Sequence, residues 1–245
     1  MSKTIVITSG KGGVGKTTVT FGLGTSLARR GKRVLLIDME NGLRGLEKIM
    51  GNDETLVFDA SDIVSGKCEP MDAIYPCASI PGLYLLPAPA SAQEGLTREQ
   101  IRRLTSILSS YFDYLLIDCP AGIANEFRVS VYAAQSALVV VNPDPIGVRC
   151  GKSVRDLLLQ SGLTDIRLVI NRFDPERFIE YGFFPDLDAV IDAAGIRLIA
   201  VVPEDPNLMR AAAKGQTCPP GLPGSMAFDR LAARVDGEQI PVIIG

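Results

Sequence analysis

Ten residues near the start of the chain, Ser9, Gly10, Lys11, Gly12, Gly13, Val14, Gly15, Lys16, Thr17 and Thr18, combine glycine backbone with basic and hydroxyl side chains. Gly10, Gly15, Lys16 and Thr17 complete the G-x-x-x-x-G-K-[ST] pattern of a phosphate-binding loop. Such a loop turns successive backbone N–H groups toward phosphate oxygens, and a Cβ at Gly12, Gly13 or Gly15 would obstruct that approach. Lys16 would span the β- and γ-phosphates of a nucleoside triphosphate, and the Thr17 hydroxyl would be a Mg²⁺ ligand. The pattern does not require Lys11.

This chemistry needs acids as well as cations, and acids follow several strand-like runs. The run 33–37 ends at Asp38, Met39 and Glu40, and the run 114–117 ends at Asp118. Later runs end at Asn142, Pro143 and Asp144, at Asn171 and Arg172, and at Pro203, Glu204 and Asp205. Asp38 and Asp118, each after a buried strand, suit Mg²⁺, which prefers carboxylate and water oxygens. Aspartate at a strand end is also a turn former or a helix N-cap, so spacing alone leaves both readings open.

The elements that would position these residues are legible. Residues 4–8 are β-branched and read as a buried strand, and 16–30 read as a helix closed by Gly31 after a basic last turn. Strand, glycine loop and helix is the required order, and the helix N-terminus adds positive charge at the same point. Further apolar runs at 33–37, 83–86, 114–117, 137–141, 167–170 and 197–201 alternate with helical stretches such as 97–110, 147–160 and 188–194. Near-continuous apolar strands separated by helices imply an α/β P-loop NTPase fold, a mostly parallel twisted sheet with helices on both faces. A single domain over 1–245 is expected, with the Pro/Gly cluster at 218–224 a surface loop before one last helix.

Composition narrows the classes. With 245 residues and 47% hydrophobic content the chain can bury a large core, and its net charge of −3 gives no global attraction to nucleic acid or anionic lipid. Lys3 and the first strand lead straight into the loop with no signal-peptide pattern, and no apolar run approaches the ~20 residues of a membrane span. A soluble, cytoplasmic protein is expected. The absence of histidine excludes a histidine base or ligand, and the five cysteines, never at C-x-x-C spacing, read as reduced thiols.

The chain resembles the deviant Walker A (MinD/ParA) ATPases, and within them the MinD branch. The resemblance is carried by residues 9–18, Ile-Asp-x-x-x-Gly-Leu-Arg at 37–44, Asp-x-Pro-Ala-Gly-Ile at 118–123, Asn142 and Pro143, Asn171 and Arg172, and Val-Pro-Glu-Asp at 202–205. The Gly-Leu-Arg continuation looks like MinD and unlike the Asp-Pro-Gln of partition ParA proteins. The resemblance implies a homodimer in the ATP state, with Lys11 crossing to the partner's phosphates while Lys16 and Thr17 serve their own subunit. It also implies that Asp118 anchors Mg²⁺ through water with Asp38 beside it, that the acid at Glu40 orients the attacking water, and that Asn171, Arg172, Pro203, Glu204 and Asp205 border the adenine. ATP, ADP and Mg²⁺ are the implied ligands, and slow ATP hydrolysis regulated by a protein partner is the implied activity, serving division-site selection or cargo positioning. Nucleic acid is not an implied partner. The alternatives are a ParA-like DNA-associated partition ATPase, an iron–sulfur carrier and a non-hydrolysing nucleotide-binding scaffold.

The chain departs from this pattern in four places. The family has aspartate at Glu40, MinD has asparagine at Gly45, and MinD has an acid at Ala124. MinD ends in a basic amphipathic membrane-inserting helix, whereas residues 236–245 carry two acids, no lysine or arginine, and Pro241. Just before them Phe228, Leu231, Ala232 and Val235 form an apolar stripe that a core-packing helix would also show. Attachment to the inner face of the membrane is therefore expected only through a partner.

Overall fold

The apolar runs form strands buried on both faces, as their lack of alternation requires. In a computed structural model describing residues 2–40, 45–51, 56–89, 95–120, 122 and 125–243, the order is β1 (Lys3–Thr8), α1 (Lys16–Arg29), β2 (Val34–Asp38), α2 (Gly45–Met50), α3 (Ala60–Ser65), a 3₁₀ turn (Pro70–Ala73), β3 (Tyr75–Pro76) and β4 (Leu83–Leu86). There follow α4 (Arg98–Leu108), β5 (Tyr114–Asp118), α5 (Asn125–Tyr132), β6 (Ser136–Val141), α6 (Pro145–Gln160), β7 (Ile166–Phe173), α7 (Pro175–Tyr181), α8 (Leu187–Ala194), β8 (Leu198–Pro203), α9 (Pro206–Ala213) and α10 (Pro223–Val235). The strands make one eight-stranded sheet in the order β3-β4-β2-β5-β1-β6-β7-β8. Every pairing is parallel except β3 with β4.

Successive residues of one strand feed opposite cores. Val6, Leu35, Ile37, Leu115, Ile117 and Val139 pack with α4, α5, α6 and α8 on one face. Ile5, Ile7, Val34, Leu36, Leu116 and Leu138 pack with α1, α2 and α10 on the other. The stripe on the last helix belongs to this second core: Phe228, Leu231 and Ala232 are buried, and Val235 packs against them. Burying a leucine such as Leu231 stabilises the fold by roughly 2 kcal/mol. The short β3 has no counterpart in the sequence reading, because two residues ending in Pro76 give neither length nor alternation.

The acids after the last helix are held locally. Asp236 accepts from Tyr114 Oη at 2.8 Å and pairs with Lys32 at 2.9 Å, and Arg30 pairs with Glu238. Arg33 lies over the Phe112 ring at 5.5 Å. The basic run at 29–33 is thus largely engaged within the chain. Among the described residues no helix is long and apolar enough to cross a membrane.

Candidate functional site

β1 delivers the chain into the loop at the carboxyl edge of the sheet, next to β5 on one side and β6 on the other. α1 starts immediately after Gly15, whose backbone is left-handed (φ 94°, ψ 29°), and no side chain caps the helix or places an acid in its first turn. Among the described residues no side chain therefore accepts from the first N–H groups of α1, which sit at the positive end of the helix dipole, the arrangement an anion needs. Lys16 is buried in this first turn, while Gly12 and Gly13 are exposed and Thr17 and Thr18 half-buried. Val14 is buried, and its carbonyl accepts a 2.7 Å hydrogen bond from Asn171 Nδ2, which ties the end of β7 to the loop.

That bond explains one glycine better than phosphate approach does. A Cβ on Gly15 would lie 2.3 Å from Asn171 Nδ2, and one on Gly10 would lie 2.7 Å from the Cys150 carbonyl of α6. Gly13 has open space around it but a φ of 75°, so its requirement is backbone conformation.

Asp38 and Asp118 are register partners on β2 and β5, and both are almost fully buried. The Asp38 carboxylate accepts from Glu40 N at 2.8 Å and Leu46 N at 3.2 Å, orienting it toward the start of α2. Thr20 Oγ1 lies 3.1 Å from Asp118 Oδ1 and 3.0 Å from the Lys16 carbonyl, and the Thr17 hydroxyl is near enough to favour the ionised Asp118 carboxylate. Burial, and then the neighbouring charge of Asp38, push Asp118 up to about 7, against the opposing pull of Thr17, Lys16 and Thr20. Two buried carboxylates beside a threonine hydroxyl suit a hard divalent cation, which would relieve their repulsion. Among the described residues no three His, Cys, Asp or Glu side chains form a metal cage, so such a cation would complete its shell with water and phosphate oxygens, as Mg²⁺ does.

Asn171, Arg172, Pro203, Glu204 and Asp205 line one cleft with Thr18 and Met209, of about 140 Å³. Arg172 has a left-handed backbone (φ 56°) where the β7–β8 register shifts, and its guanidinium lies 3.9 Å from Glu204. Strained residues of this kind concentrate at functional sites. Asp205 has a structural duty: one carboxylate oxygen caps α9 at Asn207 N (2.8 Å) and the other accepts from Gly224 N (3.0 Å). Its contribution to a ligand would come through backbone and shape.

Lys11 is exposed on the loop, and its Nζ lies 3.7 Å from Asp144 Oδ2 of the same chain. Asp144 also caps α6 through Gly147 N at 2.8 Å. Glu40 is half-buried at the end of β2. Gly45 packs on Thr17, where a Cβ would sit 3.5 Å from Cγ2, an ordinary contact, so an added methyl meets no steric bar there. The Gly-Leu-Arg continuation at 42–44 and Ala124 lie outside the described residues. Cys119 is buried and its thiol is pushed up to about 12 by that burial, which makes it inert and unable to meet a symmetry mate. Thr20 carries no signal in the sequence, since it sits one turn past the motif; Asp144, read there only as an acid at a strand end, and Cys150, read only as a thiol, reach the loop through the fold.

Comparison with known proteins agrees with this geometry. The family model described as the CobQ/CobB/MinD/ParA nucleotide binding domain matches residues 5–218. The septum site-determining protein MinD of Synechocystis sp. is 37% identical over 248 residues, covering 99% of this chain and 92% of that protein. The MinC:MinD cell division protein complex of Aquifex aeolicus contains a similar chain with a TM-score of 0.91 and 34% identity, covering 99% of both. MinD of Pyrococcus horikoshii, solved with Mg-ADP, has a TM-score of 0.85 and 28% identity over 97% of both chains. An uncapped helix start beside two buried acids, in a chain matched end to end by these relatives, leads to one assignment: the chain belongs to the MinD/ParA family and is a MinD-like ATPase.

Proposed function

We propose that this protein is an ATP-driven dimerisation switch acting in division-site selection or the positioning of a cellular cargo. One observation carries the reading: the uncapped N-terminus of α1 and Lys16 lie against the buried Asp38–Asp118 pair, so phosphate and cation sites adjoin. In this reading the loop N–H groups and Lys16 bind the β- and γ-phosphates, and Thr17, Asp38 and Asp118 hold Mg²⁺ directly or through water. When bound, that cation neutralises charge developing on the phosphate oxygens. Thr20 orients the Asp118 carboxylate, Glu40 positions water at the γ-phosphate, and the cleft around Asn171, Arg172, Pro203 and Glu204 takes the base. Lys11 leaves Asp144 to meet the partner's phosphates, coupling charge stabilisation to dimer formation.

The family supports the same assignment, since the Aquifex relative is solved in complex with MinC and the Pyrococcus relative with Mg-ADP. A regulatory protein partner for this chain follows by analogy with the first. Light-scattering molar mass in ADP and in ATP tests the switch. Native protein doubles its mass only in ATP, and Lys11→Ala binds ATP but remains a monomer; a nucleotide-indifferent mass for the native protein overturns the proposal.

A further inference from the structure

A second group of cations stands away from the nucleotide loop. The last turns of α5 and α6 and the start of α4 leave a groove of about 330 Å³, lined by Arg98, Arg128, Tyr132, Leu157, Gln160 and Ser161. α6 begins beside the loop and contributes its far end here, so the groove lies roughly 20 Å from the phosphate site at 1.5 Å per residue. The Arg98 guanidinium is 5.9 Å from the centre of the Tyr132 ring, which is 53% exposed.

Among the described residues neither Arg98 nor Arg128 has a carboxylate partner, whereas other arginines on these helices do. Glu99 is held by Arg102 at 2.8 Å and Asp156 by Arg155 at 2.7 Å. Glu126 is two residues from Arg128 and so projects from another side of α5. The groove therefore combines two uncompensated guanidinium groups, an exposed aromatic ring and apolar Leu157.

We propose that this groove docks an acidic segment of a protein partner, with carboxylates on Arg98 and Arg128 and an apolar side chain on Tyr132 and Leu157. Arginine and tyrosine are the side chains that dominate binding energy at protein interfaces. The Tyr132 ring holds Arg98 in place before the partner arrives, which reduces the entropy lost on binding. Two other polyanions fit less well. Nucleic acid binding draws its strength from many phosphate contacts, and two free cations on a chain of net charge −3 supply few. A lipid surface is met by a protruding apolar face, and this site is recessed.

Fluorescence anisotropy with the full chain and a labelled octapeptide of alternating glutamate and leucine tests the assignment. Binding is expected to saturate, weaken with salt, and fall about fivefold for Arg98→Gln and for Arg128→Gln. The glutamine counterpart of the peptide should not bind, and Arg128→Glu should shift preference toward a lysine–leucine peptide. ATP binding is unchanged in all three variants, which keeps this result separate from that of the switch. The proposal is overturned by absence of saturable binding, by equal binding of the glutamine peptide, or by affinity indifferent to the double Arg98→Gln, Arg128→Gln variant. It is equally overturned if that double variant abolishes binding to phosphatidylserine vesicles or duplex DNA and leaves peptide binding intact.

Discussion

Replacing Asp118 with asparagine should stabilise the nucleotide-free protein while removing an acid from the centre of its site. The native carboxyl ionises only near pH 7, about three units above its ordinary 3.8, because it is buried beside Asp38. A raised carboxyl keeps its proton longer in the folded state than in the unfolded one. Folded stability therefore falls as pH climbs from about 4 to about 7, and above 7 the full penalty is present. At 1.36 kcal/mol per unit that penalty approaches ~4 kcal/mol at pH 8. Asparagine retains an oxygen for the Thr20 hydroxyl, but its NH₂ group must be paired in a site shaped for a carboxylate, and imperfect pairing costs about 1–2 kcal/mol. A net gain of roughly 2–3 kcal/mol corresponds to about 5–10 °C in melting temperature for a chain of this size. At pH 4.5 the folded carboxyl is already protonated and the gain should vanish. Thermal unfolding followed by circular dichroism in EDTA, at pH 8 and pH 4.5, measures both. In excess Mg²⁺ and ATP the order should reverse, because only the native protein keeps its full cation site. An Asp118→Asn protein no more stable than native at pH 8, or equally favoured at both pH values, would refute the electrostatic account.

Three further outcomes follow. Gly15→Ala places a Cβ 2.3 Å from Asn171 Nδ2 at a φ of 94°, so it should lose nucleotide binding by equilibrium dialysis and lower stability by about 1–3 kcal/mol. Asp144→Asn releases Lys11 from a half-exposed 3.7 Å pair worth about 0.2–1 kcal/mol, so the ATP concentration for half-maximal dimer should fall by no more than about fivefold. If Glu40 orients water, Glu40→Ala lowers phosphate release about 100-fold and Glu40→Asp raises it; brisk native turnover left unchanged by Glu40→Ala refutes that role.

The sequence disclosed what depends on local order. Seven apolar runs became strands because residues such as Leu35, Leu36 and Ile37 have an apolar environment on either face. The phosphate loop was legible because its strand, glycines and helix are contiguous. The pairing of Asp38 with Asp118 was only suggested, since strands distant in sequence become neighbours through the crossover order of the sheet. The stripe on α10 shows the limit of periodicity: Phe228 and Leu231 at helical spacing suit a membrane face and a core face alike. Contact with α1 and the second core assigns them to the core.

Lys11 shows most clearly why a motif does not determine the state of its side chains. The loop sets its backbone, and Ser9 Oγ donates to the Lys11 carbonyl at 2.7 Å. Its amine, however, goes to Asp144, supplied by the segment that follows β6. Nothing near residue 11 encodes that contact. The pair is too exposed to trap the lysine, yet close enough to hold it near the loop. On the proposed function this makes Asp144 a placeholder: it keeps the cation near its working position, and a more concentrated charge can displace it at small cost. A buried pair would have set the opposite balance, because separating desolvated charges costs several kcal/mol. The exposure of the contact, more than its presence, is what makes a reversible role for Lys11 physically reasonable.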